Sequence, residues 1–405
     1  MKILQLTKKF PYPVKDGEVI GIINLTIGFH AHGHQVQVLA LNTNKHYFDV
    51  AKLPKHVAAI AAFKSVDITT DVKPIDAFLN LFSSKSYNVE RFYSKEYEQE
   101  LYQMLTREKF DFILLEGIYL MRYIDMIRKA QKDSAVNRNT PVVQRPQNVE
   151  YVIWQRLADT ESNPLKKWYL GFLAKRMKQF ELGMMNKADV LIPVSQTDLD
   201  IFKSYGCKIP SVAIPTGYVF DTLPEIKQQS ESNSVAFIGG MDWMPNREGV
   251  EWFIQKVWPL VLAEITDAQF YLAGRNFPEE ISNLNVQGLH IVGEVEDAKA
   301  FVQQHSIAIV PLFAGSGMRV KIVEAMAWGR AIVSTSVGAE SLAYTHAKDI
   351  LIADNESTFA QEVIAVLRNN SLRMELGKNA QDLIREKYDN RKISAEIVSF
   401  IKSLN

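Results

Sequence analysis

The stretch from Leu312 to Thr335, LFAGSGMRVKIVEAMAWGRAIVST, contains residue types whose order suits the binding of a diphosphate. Gly315 and Gly317 lack a Cβ atom and let backbone approach a ligand closely. Arg319 and Lys321 follow in a predicted first helical turn, where positive side chains oppose the positive end of the helix dipole. Two such side chains favour a compensating anion. The alternative interpretation is an ordinary solvated turn.

The residues around this stretch predict the elements that would position it. HSIAIVPLF is typical of a short buried strand, residues 318–328 predict a helix, and AIVST predicts a second strand. The free N–H groups at the start of such a helix point at any anion in the preceding loop. Glu324 lies on the same helix between apolar residues, which argues against the alternative of a solvent-exposed carboxylate.

Length and composition indicate a globular chain with two domains. The chain has 405 residues, of which 47% are hydrophobic and 23% are charged, and these values exclude a disordered chain. The single cysteine, Cys207, excludes an intramolecular disulfide and a cysteine-based zinc site. MKILQLTKKFPYP has too short an apolar core for a signal peptide, and no apolar run of about 18 residues predicts a membrane span. We expect a cytoplasmic protein, and we expect no nucleic-acid partner.

Strand-like runs alternate with longer helical patterns in two series, which predicts an α/β fold with two doubly wound parallel sheets. The first series is KILQL, QVQVLAL, FDFILLE, PVVQR and VLIPVS, and the second is SVAFIGG, AQFYLAG, LHIVGEV, IAIVPLF, AIVST and DILIA. The polar, turn-forming segment 214–234 predicts the linker. We place one Rossmann-like domain at residues 1–213 and the other at residues 214–389, and we expect ligands to bind between them.

Charge is distributed unevenly although the net charge is zero. Residues 1–200 contain 27 Lys and Arg against 22 Asp and Glu, so the N-terminal half is basic. LKKWYLGFLAKRMKQFELGMM, from Leu165, has apolar residues at helical spacing with five basic residues among them. Such a helix is a candidate for peripheral contact with anionic lipid at the inner face of a membrane. The alternative is a solvated helix face packed on its own domain.

The first βα turn distinguishes this chain from a dehydrogenase. KFPYPVKDGEV lacks the G-x-G-x-x-G spacing that lets a dinucleotide pyrophosphate approach the backbone. NAD binding is therefore disfavoured, and we predict no cofactor. Gly17, between Asp16 and Glu18, is either a turn glycine or a ligand contact, and its neighbours in sequence leave both interpretations open.

Together these motifs resemble the family-four retaining glycosyltransferases (glycosyl transferases group 1), which have the GT-B fold of two Rossmann-like domains facing across a cleft. The donor stretch has the form GSGMRVKxxEA that many members share. VAFIGGMDWMPNREGVEWFIQKVWP is similar to the start of the donor domain, and PYPVKDGEVIGIINLTIGFHAHGHQVQVLAL to the opening of the acceptor domain. The resemblance spans nearly the whole chain and implies that the last helix, residues 390–405, packs back on the first domain.

The resemblance implies a site for a nucleotide-diphosphate sugar, which would be the donor substrate. Glu324 matches the second glutamate of the family's E-x(7)-E motif, whose carboxylate accepts hydrogen bonds from the ribose hydroxyls. Ser316 stands where the first glutamate would contact the donor sugar, which departs from the motif, and it is alternatively a helix cap. Arg319 and Lys321 would replace the Arg and Lys that members more usually carry after the glycine turn, where this chain has only Arg247.

The expected donor-binding positions are otherwise backbone and small side chains. By the resemblance, Gly17 would face the donor phosphates and sugar, and Gly293 would contact the nucleobase through backbone. A glycine pair that ends a strand and leads into a helix favours close approach of a phosphate or sugar over simple tight packing. The full donor-binding set is Gly17, Gly239, Gly240, Gly293, Gly315, Ser316, Gly317 and Met318.

The acceptor side is expected in the first domain. Gln147 occupies the position closest to a histidine that family members often carry, and Asn148 and Glu150 lie beside it. Glu116 follows the carboxyl end of a strand, where α/β sheets bind ligands, with a helix-capping or surface carboxylate as the alternative. The family implies a hydroxyl acceptor on a sugar or lipid-linked sugar, in the biosynthesis of a surface polysaccharide or glycoconjugate.

Catalysis is expected to be metal-independent. His32 and His34 flank Gly33 and are interpreted as turn residues, because no histidine and carboxylate spacing around them resembles a metal site. Asn246 and Asp297 are interpreted as helix N-caps.

The mechanism implied by the family is hexosyl transfer with retention, in which Arg319, Lys321 and the helix N-terminus stabilise the leaving group. Two alternatives stay open. A nucleotide-sugar epimerase would need acid and base groups in the cleft, and a non-catalytic sugar-nucleotide binder fits Ser316 and Gln147.

Overall fold

The structure is a computed structural model that describes residues 1–14, 16–83, 85–220, 233–314 and 318–404. Most of the chain divides into two compact units, Met1–Val219 with Asn390–Asn405, and Phe220–Gly315 with Arg319–Asp389. Residues 221–232, which make up most of the predicted linker, lie outside the described residues.

The first unit is built on a parallel sheet. Its strands are β1 (Lys2–Thr7), β2 (Gln35–Thr43), β3 (Ala62–Ile68), β4 (Phe112–Glu116), β5 (Val142–Arg145) and β6 (Val190–Leu191). In the part of this unit that is described, they form six strands in the order β3-β2-β1-β4-β5-β6, with parallel neighbours throughout. Fully buried strands such as β4 have apolar side chains on both faces, as expected for a parallel sheet covered by helices.

Helices cover both faces of this sheet. They are α1 (Gly17–Ala31), α2 (Lys55–Ala58), α3 (Pro74–Asn80), α4 (Tyr87–Glu90), α5 (Lys95–Arg107), α6 (Ile124–Asp133), α7 (Glu150–Thr160), α8 (Pro164–Met184) and α9 (Gln196–Ser204). Short 3₁₀ helices span Asn44–His46, Val50–Lys52 and Ile118–Tyr123. Along β1, Leu4 and Leu6 pack in one core cluster and Ile3 packs in another, because successive side chains point to opposite faces.

The second unit repeats this architecture. Its strands are β7 (Ser234–Ile238), β8 (Gln269–Ala273), β9 (Leu289–Gly293), β10 (Ile307–Val310), β11 (Ala331–Ser334) and β12 (Leu351–Ile352). Within the described residues they form a six-stranded parallel sheet with the order β12-β11-β10-β7-β8-β9. The two parallel sheets confirm the predicted α/β class with two Rossmann-like domains.

The helices of the second unit pack around an aromatic core. They are α10 (Met244–Trp252), α11 (Trp258–Glu264), α12 (Glu279–Ser282), α13 (Ala298–Gln304), α14 (Val320–Ala327), α15 (Ser336–Ala339), α16 (Glu356–Arg368) and α17 (Asn370–Lys387), and a π-helical turn, Phe253–Val257, joins α10 to α11. Phe253 contacts the rings of Trp258, Phe270 and Phe359 with centroids 4.8–6.0 Å apart. Such ring contacts add to the free energy gained from burying apolar area.

The final helix, α18 (Asn390–Lys402), belongs to the first unit and packs against α1. The Asn390 side-chain amide donates to the backbone carbonyl of Asn24 at 2.6 Å. A Cβ atom at Gly28 would lie 2.7 Å from Ser394 Oγ, so the glycine lets the two helices approach closely. Ile393 and Ile397 then enter the apolar cluster that also contains Phe29.

Candidate functional site

The candidate donor loops of the second unit lie at the point where its strand order reverses. Successive connections run outward from β7 to β8 and β9, and the chain then returns to β10 on the other side of β7. Loops at the carboxyl ends of two such neighbouring strands diverge and leave a crevice, which is where open α/β sheets bind ligands. Gly239 and Gly240 follow β7, and the stretch from Pro311 to Arg319 follows β10.

The turn after β7 is closely packed. The Gly239 N–H donates to the Ala273 carbonyl at 3.0 Å. Gly274 has a φ of +151°, and a Cβ atom there would lie 1.9 Å from the Gly239 carbonyl oxygen. Tight packing therefore requires a glycine at 274 whatever ligand binds, and the donor-binding role of Gly239 and Gly240 stays a prediction.

The helix after β10 starts later than predicted. Residues 318–328 were expected to be helical, whereas α14 begins at Val320, because Arg319 has φ −84° and ψ 88° and occupies the N-cap position without a side-chain cap. Arg319 is buried, and its guanidinium carbon lies 5.7 Å from the centroid of the Trp243 ring. Met318 is partly buried, while Gly315, Ser316 and Gly317 lie outside the described residues.

The groups that contact the Lys321 ammonium are neutral. Lys321 Nζ donates to Asn246 Oδ1 at 2.7 Å and lies 4.5 Å from the centroid of the Phe237 ring. Burial and the neighbouring Arg319 charge lower the pKa of Lys321 to about 7. In the part of the chain that is described, no carboxylate lies within ion-pair distance of this ammonium. A bound anion would supply the missing negative charge and would raise the pKa of Lys321.

Glu324 lies one turn further along α14 and is partly buried. Burial raises the pKa of its carboxyl group to about 7. None of the residues that the structure describes donates a hydrogen bond to this carboxylate. A partly buried carboxylate with unused acceptor capacity suits hydroxyl donors on a ligand, and its role toward the ribose stays a prediction.

Three other predicted positions of the second unit are located by the structure. Gly293 ends β9 with a φ of +82° and lies two strands away from β7. Asp297 caps α13 by accepting from the Ala300 N–H at 3.0 Å, which confirms that prediction. The prediction that Asn246 is an N-cap was wrong: Trp243 occupies that position, and Asn246 instead bonds to Lys321.

The sequence did not predict the aromatic residues that contact Arg319 and Lys321. Phe237 and Trp243, whose rings face Lys321 and Arg319, precede α14 by more than 70 residues, and only the pairing of β7 with β10 brings them to it. Arg247, which is the basic residue closest to the glycine turn in sequence, pairs with Glu251 at 2.8 Å.

The first unit has a corresponding switch point between β1 and β4. Glu116 ends β4 and is completely buried. It accepts hydrogen bonds from Gln5 Nε2 at 2.9 Å and from Gln147 Nε2 at 2.7 Å, and burial raises its pKa. Glu116 is thus placed to orient Gln147, which is partly exposed after β5. The direct acceptor contact expected of Glu116 stays a prediction.

The loop between β1 and α1 holds a largely buried ion-pair network. Asp16 caps α1 by accepting from the Val19 N–H, and Lys9 Nζ donates to both Asp16 oxygens at 2.8 and 2.9 Å. Lys9 and Lys8 also pair with Glu18, at 3.1 and 3.3 Å. Burial disfavours the charged form of Glu18, but the two lysine charges outweigh it and lower the pKa. Gly17, the first residue of α1, is exposed above this network.

The segment after β5 is held by a carboxylate that the sequence did not single out. Gln147, Asn148 and Glu150 are all partly exposed, and α7 begins at Glu150. The backbone N–H groups of Glu150 and Tyr151 donate to the fully buried Glu181 of α8 at 3.2 and 3.1 Å. Burial raises the pKa of Glu181 to about 8. Glu181 thus supplies the N-terminal cap that α7 lacks locally.

The predicted basic amphipathic helix is α8, and its first turns are exposed. Leu165 is 79% exposed and Trp168 is 62% exposed, with Lys166 and Lys167 exposed between them. The Trp168 ring stacks on Phe172 with centroids 6.1 Å apart. Within the described ranges no helix has both the length and the apolar character needed to cross a membrane.

A metal site is likewise not found in the residues that the structure describes, since no group of three His, Cys, Asp or Glu side chains is arranged to hold an ion. His32 and His34 lie at the end of α1 and before β2, where a turn was predicted.

Comparisons with known proteins agree with the two-domain fold. Residues 232–369 match the family model described as "Glycosyl transferases group 1". An uncharacterised 44.6 kDa protein in the cps region of Klebsiella pneumoniae is 25% identical over 98% of both chains. Among solved structures, sucrose-phosphate synthase from Thermosynechococcus elongatus superposes with a TM-score of 0.70 at 16% identity, covering 100% of this chain and 99% of that one. Anabaena Alr3699/HepE in complex with UDP-glucose superposes with a TM-score of 0.64 at 14% identity, covering both chains completely.

The fold is therefore GT-B, the two-domain α/β fold of these glycosyltransferases. The match of the second unit to the group 1 model supports glycosyl transfer as the class of activity.

Proposed function

We propose that the protein is a retaining glycosyltransferase that moves a hexose from a nucleotide-diphosphate sugar to a hydroxyl acceptor. The observation that carries this proposal is the pair of basic side chains at the start of α14, at the switch point of the second sheet. Lys321 is held there by an amide oxygen and an aromatic ring instead of a carboxylate. A diphosphate would replace the water that this ammonium has lost and would compensate its charge.

The proposed chemistry uses these cations on the leaving group. The bond between the anomeric carbon and the β-phosphate oxygen breaks while the acceptor oxygen bonds to the same face of that carbon. Arg319, Lys321 and the N–H groups at the start of α14 stabilise the charge that develops on the departing diphosphate. The departing phosphate takes the proton of the acceptor hydroxyl, so the reaction needs neither a side-chain nucleophile nor a metal ion. Glu324 orients the donor through the ribose hydroxyls.

The first unit supplies the proposed acceptor-side groups. Gln147, Asn148 and Glu150 present partly exposed polar side chains after β5, and Glu116 and Glu181 hold that segment in place. The whole-chain similarity to a protein of a cps region supports a growing surface polysaccharide or glycoconjugate as the acceptor.

We further propose that α8 places the enzyme at the inner face of a membrane. Leu165 and Trp168 are exposed apolar groups, and the lysines between them suit anionic headgroups. Tryptophan favours the membrane interface because its ring is apolar and its N–H is polar. A lipid-linked acceptor would then be presented where the enzyme is bound.

Turnover of radiolabelled nucleotide sugars, with and without a lipid extract as the acceptor, tests the proposal. Transfer of label to the extract in EDTA, with the anomeric configuration retained, is the expected result. Conversion of the sugar nucleotide without an acceptor would instead identify an epimerase. Binding without any turnover would identify a non-catalytic sugar-nucleotide binder, and either outcome would contradict the proposed function.

A further inference from the structure

Asn246 connects the two loops of the candidate donor site. It is the third residue of α10 and is buried, with 5% of its surface exposed. Its Nδ2 donates to the Gly240 carbonyl at 2.9 Å, and its Oδ1 accepts from Lys321 Nζ at 2.7 Å. One bond therefore reaches the turn after β7, and the other reaches the helix after β10.

The chemistry of the two partners fixes the orientation of this amide. An ammonium can only donate, and a carbonyl can only accept. Only the orientation with Oδ1 toward Lys321 and Nδ2 toward Gly240 satisfies both groups. The missing side chain of Gly239 leaves room for this amide, since a Cβ atom there would lie 2.7 Å from Asn246 Nδ2.

A neutral residue at this position preserves the charge of Lys321. An aspartate of the same shape would accept the same hydrogen bond, but its negative charge would compensate the ammonium and repel an incoming phosphate. A serine would be too short to bridge both partners. Asparagine therefore fixes the position of the ammonium without placing a compensating negative charge beside it.

We propose that Asn246 is a positioning residue for the diphosphate, which holds the Lys321 ammonium beside the Gly239–Gly240 turn so that both contact the same anion. This inference rests on the proposed function, because the anion is taken to be the diphosphate of the donor. Asn246 acts through Lys321 and does not itself contact the ligand. The competing interpretation is that Asn246 only stabilises the first turn of α10 through its bond to Gly240.

A double-mutant cycle separates the two interpretations. We would measure the affinity of the full-length protein for UDP and for inorganic pyrophosphate by calorimetry, in EDTA, for the wild type, Asn246→Ala, Lys321→Met and the double variant. If Asn246 acts through Lys321, Asn246→Ala weakens binding about tenfold in the wild type and leaves Lys321→Met unchanged. An equal loss in both backgrounds, or no loss in either, overturns the inference.

Asn246→Asp provides a second measurement that does not depend on removing the side chain. It keeps the shape and the bond to Lys321 but loses the donor to the Gly240 carbonyl and adds a negative charge. We therefore expect a larger loss of pyrophosphate affinity than in Asn246→Ala, together with a lower melting temperature. Affinity equal to that of the wild type contradicts the inference.

The outcomes also separate this inference from the proposed function. Coupled binding of pyrophosphate without turnover of any sugar nucleotide supports the inference and contradicts the proposed function. Turnover with additive effects of the two substitutions contradicts the inference alone. A wild-type protein that binds neither UDP nor pyrophosphate contradicts both.

Discussion

At the scale of single residues, the candidate site is defined by Arg319, Lys321 and Glu324, and the pKa values of Lys321 and Glu324 are displaced toward neutrality. Burial lowers the pKa of Lys321 and raises that of Glu324, each to about 7. Perturbed pKa values of this kind cluster at functional sites, where a bound ligand can supply the compensating charge.

The pH dependence of nucleotide binding follows from Lys321. With a pKa of about 7, this amine is mostly protonated at pH 6, about half protonated near pH 7 and mostly neutral at pH 8.5. Because a diphosphate needs the charged form, the affinity for UDP should fall from pH 6 to pH 8.5, and binding at pH 8 should take up a proton. Glu324 ionises over the same range and would oppose this trend, so we would make the measurement in Glu324→Gln. Calorimetry in buffers of different ionisation enthalpy measures the proton uptake.

Lys321→Arg is the matched control for this titration. An arginine stays protonated throughout the range, so it should remove the loss of affinity at high pH. A pH profile that is the same for lysine and arginine would show that another group titrates.

Glu324 should contribute mainly to donor binding and orientation. Glu324→Ala removes an acceptor for the ribose hydroxyls, and hydrogen bonds to charged groups of this kind are worth about 1.5–3 kcal/mol. We expect kcat/KM for the sugar nucleotide to fall by at least about tenfold, with the melting temperature preserved. Glu375→Ala, at an exposed position of α17, serves as the control and should be unchanged. Near-normal transfer by Glu324→Ala would contradict the assignment.

At the scale of elements, the turn after β7 and the start of α7 are each held by a few specific contacts. The strands were largely predictable, because a buried parallel strand is a continuous apolar run bounded by turn residues. The exception is β3, which was not predicted. It lies at the edge of the first sheet, and its residues are only partly buried, so AFKSVDI lacks a continuous apolar run.

The Gly239 turn should not tolerate a side chain at Gly274. Gly274→Ala places a Cβ atom 1.9 Å from the Gly239 carbonyl oxygen at a φ of +151°. We expect the free energy of unfolding to fall by more than about 2 kcal/mol, from backbone strain and the shift of the turn. Gly171→Ala is the control, because a Cβ atom on this helical glycine meets no atom within 4 Å outside the local backbone of its own helix. It should be neutral or stabilising by up to about 1 kcal/mol in urea unfolding.

The start of α7 should depend on Glu181. Glu181→Leu leaves the N–H groups of Glu150 and Tyr151 without their acceptor, which should destabilise the first unit by about 1–3 kcal/mol. Glu181→Gln keeps one carbonyl acceptor and should cost less. Urea unfolding of the two variants measures the difference, and equal stability of both would exclude a capping role.

The residues that hold these elements explain why the site was only partly predictable. Arg319, Lys321 and Glu324 lie within six residues of one another, so the sequence alone predicts that these charged side chains are grouped at the start of one helix. Phe237, Asn246 and Glu181 make their contacts through strand order and helix packing, across 30 to 84 residues of sequence. Asn246 looked like a helix cap because asparagine near a helix start usually is one.

At the scale of the whole molecule, two Rossmann-like units each present polar loops at the switch point of a parallel sheet. The alternation of strands and helices predicted this architecture, since only a parallel sheet with helical crossovers accommodates it. The net charge of zero gives no sign of the exposed lysines and apolar side chains at the start of α8, because acidic residues elsewhere in the chain balance the positive charge of those lysines.

Membrane association should depend on the start of α8. We expect the wild-type protein to sediment with phosphatidylglycerol vesicles and much less with phosphatidylcholine vesicles, and 0.5 M salt, well above the roughly 0.15 M physiological ionic strength, should weaken the binding by screening. Leu165→Ser with Trp168→Ser should reduce the bound fraction severalfold. The control is Leu260→Ser with Leu284→Ser, which removes exposed apolar groups from the second unit. Equal losses in the two double variants would contradict a specific role of α8.

The most direct test of the central claim is thermal stabilisation by nucleotides. UDP, GDP, ADP and their sugar conjugates would each be added in EDTA to the wild type and to Lys321→Met. A ligand at 100 times its dissociation constant stabilises the folded state by about 2.7 kcal/mol, which corresponds to a shift of a few degrees. We predict that one nucleotide and its sugar conjugates raise the melting temperature of the wild type and that Lys321→Met loses most of the shift. No shift with any nucleotide, or an equal shift in the variant, would contradict a diphosphate site at the start of α14.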